Sequence, residues 1–294
     1  MAAGLNSDAL WGLSQRQGAA PVSSALHLIA TPIGNLADLT LRAARCIAEV
    51  DHLYCEDTRV SAKLLAALDV ARPLISLNEH NEPQRIERVL EALSAGESVG
   101  LVSDAGMPLL SDPGARLVEA VTTAGLAVLT VPGASAALSA LVASGLPVSP
   151  SVFMGFAERK KGRLAEQLAP FARVPASLVF FESPNRVGSL LVNLHELLGD
   201  RSVVVARELT KKHETLHRGD LGSPPDVPAR GEMVVVVGPP AELGSLTGAA
   251  LDEAISALLE QRHRPKAVAK LLAARADQRA VYARAVELLA CSQD

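Results

Sequence analysis

Aromatic side chains are scarce in this sequence, where five phenylalanines, two tyrosines and one tryptophan make up 3% of 294 residues. Base stacking on aromatic rings is therefore expected to be minor, with a contribution from Tyr282 at most. The net charge of -4 excludes a protein that coats nucleic acid through its overall positive charge. Any nucleic-acid partner must meet local concentrations of basic residues instead.

Cysteine is also rare, and the three residues Cys46, Cys55 and Cys291 have no close pairing. An odd number without short spacing indicates neither a disulfide framework nor a zinc site. We expect a reducing, cytoplasmic environment, no metal, and buried unreactive thiols at Cys46 and Cys55.

Long apolar runs are missing, although the segment Ala120–Ala157 contains no charged residue and no histidine. A membrane-spanning helix needs about 20 consecutive apolar residues. Pro132-Gly133, Pro147 and Pro150 interrupt this segment, so we interpret it as buried strand, glycine turn and buried helix, without a membrane partner. Residues 1–24 lack the basic start and apolar block of a signal peptide, and we expect a mobile extension there.

Short apolar runs alternate with helical patterns and predict an α/β fold in two domains. Residues 25–146 contain five such alternations and predict an N-terminal domain with a mostly parallel sheet. Residues 147–240 have more strands per helix and predict a mixed sheet, and residues 241–294 predict a basic helical tail. Polar clusters follow the strands, and ligands bind at the carboxyl ends of strands in such folds.

Several familiar motifs are absent, including G-x-x-x-x-G-K-[ST], G-x-G-x-x-G, H-E-x-x-H, C-x-x-C and G-x-S-x-G. The conspicuous element is the loop Ser103–Gly114, SDAGMPLLSDPG, with two Ser-Asp pairs. Gly106 allows the backbone to approach a ligand closely. For Asp104, a ligand contact and a place in a stiff turn are both open, whereas we interpret Asp112 as part of a helix N-cap. The turn Pro132–Ala137 leaves space for a ligand at a helix start.

Five blocks together resemble the bacterial 16S ribosomal RNA (cytidine-2'-O)-methyltransferases of the tetrapyrrole methylase superfamily. They are TPIGNL at Thr31–Leu36, EDTR at Glu56–Arg59, the Ser103–Gly114 loop, the turn at Pro132–Ala136 and GEM at Gly231–Met233. The resemblance extends from about Leu26 to Val237. Met107 stands where the family pattern has threonine, so a cofactor contact there would use the backbone.

The resemblance implies S-adenosyl-L-methionine as cofactor, in a cleft between two α/β domains of a homodimer. The implied substrate is a cytidine ribose in the decoding centre of 16S rRNA in the small ribosomal subunit. The implied cofactor contacts are Pro32, Gly34, Asp104, Gly106, Met107, Ser135, Ala136, Phe181, Glu182, Arg207, Glu208 and Leu209.

A proton acceptor for the ribose hydroxyl would assist the transfer. Glu56, Asp57, His80 and Glu182 all follow predicted strands and are the candidates. A helix cap with a local ion pair is an equal interpretation of Glu56 and Asp57, and a structural histidine is the preferred interpretation of His80. The choice of base stays open at this point.

Positive charge for RNA contact is concentrated in two places. The segment Gln261–Arg284 carries seven basic residues and one aspartate, and a basic loop follows a predicted strand at residues 158–163. The candidate RNA contacts are Arg59, Arg159, Lys160, Lys161, Arg163, Arg186, Arg262, Arg264, Lys266 and Lys270. A solvated helical face is the alternative for the tail.

Two other functions stay open. A tetrapyrrole C-methyltransferase would account for the cleft but not for the basic tail. A non-catalytic RNA-binding or ribosome assembly protein would account for the tail but not for the polar loops at the strand ends.

Overall fold

The computed structural model describes residues 22–78, 80–240, 248–272 and 276–291. The chain divides into two compact units, with the boundary between Pro239 and Pro240. The predicted extension 1–24 lies outside the described residues except for its last three, where Ser24 donates a hydrogen bond to the Glu97 carbonyl at 3.2 Å. The predicted division between an N-terminal and a C-terminal α/β domain, at residues 146 and 147, stays a prediction. None of the helices in the described ranges is both long and apolar enough to cross a bilayer.

The first unit begins with a five-stranded sheet in the order β3-β2-β4-β1-β5. Every pairing in it is parallel, so the prediction of a mostly parallel sheet is confirmed. The strands are β1 (Leu26–Ile29), β2 (His52–Cys55), β3 (Ile75–Ser76), β4 (Val99–Val102) and β5 (Val128–Val131). The helices are α1 (Leu41–Glu49), α2 (Thr58–Ala67), α3 (Glu82–Ser94), α4 (Ala115–Thr123) and α5 (Ala136–Ser144).

The strands of this sheet are apolar because both of its faces are covered. Ile29 and Leu53 pack into one core, and Leu26 and Leu101 pack into the core on the other side. Cys46 and Cys55 are buried as predicted. Burial raises the pKa of the Cys46 thiol to about 12, so it stays a neutral packing group.

A second five-stranded sheet follows in the order β6-β7-β10-β8-β9. β6 pairs with β7 in parallel and the other pairings are antiparallel, so the predicted mixed sheet is confirmed. Its strands are β6 (Ser151–Phe156), β7 (Ser177–Glu182), β8 (Ser202–Arg207), β9 (Thr215–Asp220) and β10 (Met233–Val237), with helices α6 (Lys161–Leu168) and α7 (Val187–Leu198). α5 joins the two sheets, since Ala137, Ala140 and Leu141 pack on the second sheet.

The predicted basic loop at residues 158–163 is wrong in its second half, where α6 begins at Lys161. Leu164 and Leu168 are four residues apart, as on one face of a helix, and both are buried against the second sheet. This burial stabilises a helix that includes Lys161 in its first turn. Arg159 and Lys160 precede the helix, whereas Lys161 and Arg163 lie on it.

The second unit contains three helices among its described residues, α8 (Gly248–Glu260), α9 (Pro265–Leu272) and α10 (Gln278–Cys291). They bury a small core of their own that includes Ile255, Val268 and Val281. Arg284 joins α10 to α8 by donating two hydrogen bonds of 2.7 Å to the Asp252 carboxylate.

Candidate cofactor and substrate site

The loops that follow β1 and β4 are hydrogen-bonded to each other. Thr31 N donates to Gly106 O at 2.9 Å, and Gly106 N donates to Thr31 O at 3.1 Å. The buried Thr31 and Ser103 hydroxyls donate to Ser103 O and Gly106 O respectively. Gly106 has φ +81°, and a Cβ there would lie 3.2 Å from Ile33 Cγ2, so the turn favours glycine.

A cavity of about 390 Å³ lies between these loops and the second sheet. This volume falls in the usual range for small-molecule sites, which are mostly apolar with a few polar groups. Its lining residues are Ile33, Ala105, Gly106, Met107, Leu110, Ser111, Asp112, Ser135, Ala136, Phe156, Phe181, Glu182, Ser183, Pro184, Ala206, Leu209, Gly231, Glu232, Met233 and Val234.

The predicted cofactor contacts divide into two groups. Seven line the cavity: Gly106, Met107, Ser135, Ala136, Phe181, Glu182 and Leu209. Pro32, Gly34, Asp104, Arg207 and Glu208 are not among its lining residues. The sequence blocks thus identify both walls of the cavity, one from each sheet.

Some of the outlying predicted residues support the walls. Arg207 is buried, and its guanidinium donates to Arg230 O at 2.8 Å and to His213 O at 3.2 Å. Gly34 lies beneath Lys211, because a Cβ at residue 34 would be 2.6 Å from Lys211 Cγ. Glu208 accepts hydrogen bonds from Glu232 N and from Lys211 Nζ, which lower the pKa of its carboxyl.

Glu182, at the end of β7, is a buried carboxylate in the cavity wall. Its Oε1 accepts a hydrogen bond from Ser183 N at 2.7 Å. Arg186 Nη2 lies 3.2 Å from Oε2, but the buried Oε2 accepts no hydrogen bond with acceptable geometry from any described residue. Oε2 is thus ion-paired with Arg186 and can still accept a hydrogen bond from a further donor.

The other three candidate bases are not among the cavity-lining residues. Asp57 is the N-cap of α2 and accepts hydrogen bonds from Arg59 N at 2.8 Å and Arg59 Nε at 3.0 Å. These bonds lower the pKa of Asp57 to about 2, so it is a weak proton acceptor. His80 is exposed, and Glu56 is half-buried at the end of β2. The cap interpretation fits Asp57.

Asp112 is a site residue that the sequence interpretation missed. The predicted capping role is wrong, because the N-cap of α4 is Gly114 at φ +117°, and the side chain that accepts a hydrogen bond from the first turn is Glu82, whose Oε1 lies 3.2 Å from Leu117 N. Asp112 lines the cavity instead, and its burial, reinforced by the charge of Asp104, raises its pKa to about 6. The second Ser-Asp pair was the available signal for this role.

The basic residues near β6 differ in how far their charges are engaged. Lys161 is paired with Glu196, and Arg186 donates to Ala157 O at 2.9 Å. Arg159, Lys160 and Arg163 are exposed and form no ion pair with any described residue. Arg59 is exposed but paired with Asp57.

The basic residues of the second unit are largely available to a partner. Arg262, Arg264, Lys266 and Lys270 are exposed and unpaired among the residues described. Arg284 is occupied by Asp252 and Glu287. Arg275 lies outside the described residues.

Relatives at high identity share nearly the whole chain. A protein of Mesorhizobium japonicum named Ribosomal RNA small subunit methyltransferase I is 42% identical over 92% of this chain and 94% of its own. A protein of the same name from Xylella fastidiosa is 42% identical over 84% of this chain and 93% of its own.

Solved structures at lower identity share the fold. The uroporphyrin-III C-methyltransferase of Thermus thermophilus complexed with S-adenyl homocysteine has a TM-score of 0.51 at 23% identity, covering 73% of this chain and 97% of that one. A diphthine synthase has a TM-score of 0.57 at 13% identity, covering 73% and 90%. Residues 25–225 match the family described as Tetrapyrrole (Corrin/Porphyrin) Methylases. The chain therefore belongs to the tetrapyrrole methylase family.

Proposed function

We propose that this chain methylates the 2'-hydroxyl of a cytidine ribose in the decoding centre of 16S rRNA, using S-adenosyl-L-methionine. The observation that carries the rRNA assignment is the 42% identity over 92% of the chain to a relative named for small-subunit rRNA methylation. A tetrapyrrole substrate has weaker support, because the porphyrin enzymes share only the fold at 23% identity.

The cavity fits S-adenosyl-L-methionine in size and chemistry. Its volume of about 390 Å³ suits a ligand of this size, and its apolar lining suits an adenine ring. Glu182 Oε2, which is ion-paired with Arg186 but accepts no hydrogen bond from the described residues, would accept one from a ribose hydroxyl or an ammonium group of the ligand. Gly106 brings main-chain groups to the wall without a side chain in between.

When bound, the cofactor supplies a methyl group on a sulfonium that is already activated for transfer to oxygen. The protein must align the hydroxyl and exclude water. The apolar walls around Met107, Ala136 and Leu209 would exclude water from the bound cofactor. Glu182 is the candidate acceptor for the hydroxyl proton, since it alone of the four sequence candidates lines the cavity. The same carboxylate could instead hold the cofactor, and a single substitution separates these roles.

RNA contact is assigned to two groups of exposed cations. Arg159, Lys160 and Arg163 lie just beyond β6, whose last residue, Phe156, lines the cavity. The exposed Arg262, Arg264, Lys266 and Lys270 would bind phosphates through the second unit. Arg59, Lys161 and Arg186 have weaker support, because each already pairs with an acidic side chain.

A homodimer is part of the proposal, and α5 supports it. Leu138 and Val142 lie one turn apart on this helix and are 63% and 69% exposed. Exposed apolar patches of this kind mark interfaces. Val142→Asp should convert a dimer to a monomer in light scattering, and an unchanged mass would remove this face from the proposal. A ribosomal substrate also places the enzyme in the cytoplasm.

Methyl transfer to small ribosomal subunits that lack the modification tests the proposal directly. We expect incorporation of labelled methyl groups at one cytidine, located by ribose-methylation sequencing. Transfer to a base or to another nucleotide would overturn the assignment to the 2'-hydroxyl of a cytidine. A porphyrinogen accepted in place of the subunit would favour the tetrapyrrole alternative.

Calorimetry with S-adenosylhomocysteine tests the cofactor site separately from the substrate. The full chain should bind this product without any RNA. Absence of binding at about millimolar ligand, a concentration at which binding free energies down to about 4 kcal/mol are detected, would remove every methyltransferase interpretation.

A further inference from the structure

Three of the five phenylalanines of the chain form one cluster, two of them in the cavity lining, because of one irregularity in β6. In a regular strand, Phe153 and Phe156 would lie on opposite faces, since side chains alternate. The register shifts between Phe153 and Gly155, and Gly155 has φ +66°. This β-bulge adds one residue and brings both rings to the face occupied by Phe181.

The resulting cluster, formed by Phe153, Phe156 and Phe181, has edge-to-face geometry. The ring centroid of Phe181 lies 5.0 Å from that of Phe153 and 5.8 Å from that of Phe156. Phe156 lines the cavity and is 55% exposed, while Phe181 lines the same cavity from β7. Because Phe156 contacts Phe181 and still exposes 55% of its surface, its ring is available to stack on a planar partner.

The backbone that carries Phe156 is fixed from two sides. Gln167 Nε2 donates to Met154 O at 3.1 Å and to Phe156 O at 3.3 Å, and Gln167 Oε1 accepts from Glu158 N. Arg186 donates to Ala157 O at 2.9 Å. Such side-chain bonds to backbone groups hold the ring before any ligand binds, which lowers the entropic cost of binding.

The charges next to the cluster favour a nucleotide over a purely apolar partner. Arg159, Lys160 and Arg163 follow Phe156 within seven residues, are exposed and form no ion pair among the described residues. An aromatic ring flanked by cations is the combination that single-stranded nucleic acid uses, with the base on the ring and phosphates on the cations.

We propose that Phe156 stacks on the base of the nucleotide whose ribose is methylated. Phe153 and Phe181 support its ring, and Arg159, Lys160 and Arg163 bind the adjoining phosphates. This inference rests on the proposed function. It gives base stacking a specific place in a chain whose scarcity of aromatic residues predicts little of it.

Substitutions of Phe156 separate stacking from folding and from cofactor binding. Phe156→Ala should lower kcat/KM for unmethylated small subunits by about tenfold or more, because base stacking on an aromatic side chain is typically worth that much. Phe156→Leu keeps an apolar side chain and should lose nearly as much, whereas Phe156→Tyr should retain most activity. Activity is measured at saturating S-adenosyl-L-methionine, because Phe156 also lines the cavity and a change in cofactor affinity must not enter kcat/KM for the subunit.

Val192→Ala is the matched control, since Val192 is another exposed apolar side chain at 52% exposure and lies on α7 but not in the cavity lining. It should leave kcat/KM unchanged. Equal activity of Phe156→Leu and the wild type would overturn the stacking role while leaving the methyltransferase proposal intact. A wild type that transfers no methyl group would instead remove the proposed function.

A tryptophan at residue 156 reports on stacking without turnover. The only tryptophan of the chain is Trp11, so Trp11→Phe combined with Phe156→Trp leaves one fluorophore. Small subunits should quench its emission, and subunits already methylated should quench it by a similar fraction. Unquenched emission from a variant that still methylates would contradict stacking. A changed oligomeric mass in Phe156→Ala would assign the ring to a subunit interface and also overturn the proposal.

Discussion

Glu208 and Glu232 are connected by two hydrogen bonds. Glu208 N donates to the Glu232 carbonyl at 2.9 Å, and Glu232 N donates to Glu208 Oε1 at 2.8 Å. Lys211 Nζ adds bonds of 2.9 and 2.8 Å to the two carboxylates. The arrangement ties the turn after β8 to the residues that lead into β10, and both segments supply cavity walls through Leu209 and Glu232.

Gly231→Ala should disrupt this connection. Residue 231 has φ +87°, and a Cβ there would lie 2.6 Å from Glu208 Cγ. We expect a loss of about 1–3 kcal/mol in the free energy of unfolding, the usual cost of such a backbone conformation in a non-glycine residue. The displaced Glu208 should also weaken S-adenosylhomocysteine binding. Denaturant titration and calorimetry measure the two effects.

Gly188→Ala is the control for that substitution. Gly188 lies in α7, and nothing lies within 4 Å of a Cβ added there. Alanine should therefore raise the free energy of unfolding by up to about 1 kcal/mol and leave ligand affinity unchanged. Equal ligand affinities in both variants would show that the Glu208–Glu232 connection does not shape the cavity.

Asp112 should make stability depend on pH in an identifiable way. Its pKa is raised to about 6 in the folded chain, whereas an unfolded aspartate titrates near about 3.9. Between these values the folded state binds more protons, so stability falls as pH rises from about 4 to about 6. Asp112→Asn should remove that decline and raise the free energy of unfolding at pH 7.5 by on the order of 1 kcal/mol, given the partial exposure of the side chain.

The same carboxylate should affect ligand charge selectivity. Ionised Asp112 attracts the sulfonium charge of S-adenosyl-L-methionine, whereas the thioether sulfur of S-adenosylhomocysteine is uncharged. The affinity for S-adenosyl-L-methionine divided by that for S-adenosylhomocysteine should therefore rise between pH 5 and 7.5. Asp112→Asn should flatten this ratio. Asp226→Asn, at an exposed position outside the cavity lining, should leave the ratio and the stability profile as in the wild type. A ratio independent of pH in the wild type would contradict the electrostatic role.

The sequence predicts helices and strands well where burial requires a regular pattern of apolar residues, and poorly where an element is exposed. The parallel strands of the first sheet are short apolar runs, and their polar ends lead directly to Gly106 and Ser135 in the cavity wall. β9, with the sequence TLHRGD, escapes prediction because it is an edge strand that exposes polar side chains to solvent. Its backbone hydrogen bonds to β8 keep it in a strand conformation that its composition does not indicate.

The missed site residues depend on contacts between segments distant in sequence. Asp112 resembles a cap by its position before α4, and only the folding of its loop against the second sheet places it at the cavity. Phe156 joins Phe181 through a β-bulge, which breaks the alternation that a sequence pattern assumes. Arg207 follows the family pattern, but its guanidinium is satisfied by two carbonyls of neighbouring loops.

The exposed cations of the second unit should contribute to RNA affinity through phosphates. Changing Arg262, Arg264, Lys266 and Lys270 to glutamine should weaken binding to small subunits. If each cation meets one phosphate, the slope of log K against log salt should fall by about three units in magnitude, since each contact contributes roughly 0.7–0.9. Filter binding across a salt series measures the slope.

A matched quadruple variant controls for total charge. Lys63, Arg88, Arg116 and Arg173 are exposed basic residues of the first unit, and replacing them by glutamine removes the same charge. This variant should keep most of the salt dependence. If both variants lose the same affinity, the tail acts only through overall charge, and the interpretation of its helices as a solvated face gains support.

Glu182→Gln should separate proton transfer from cofactor binding. Glutamine keeps an oxygen and the size of the side chain but cannot take up the hydroxyl proton. If Glu182 is the base, kcat should fall by about 10²–10⁴-fold while S-adenosylhomocysteine affinity changes little. Asp57→Asn and His80→Gln should each lower kcat less, because neither side chain lines the cavity. A Glu182→Gln enzyme with normal kcat and weakened ligand binding would instead assign this buried carboxylate to the cofactor, and the transfer would then depend on alignment alone.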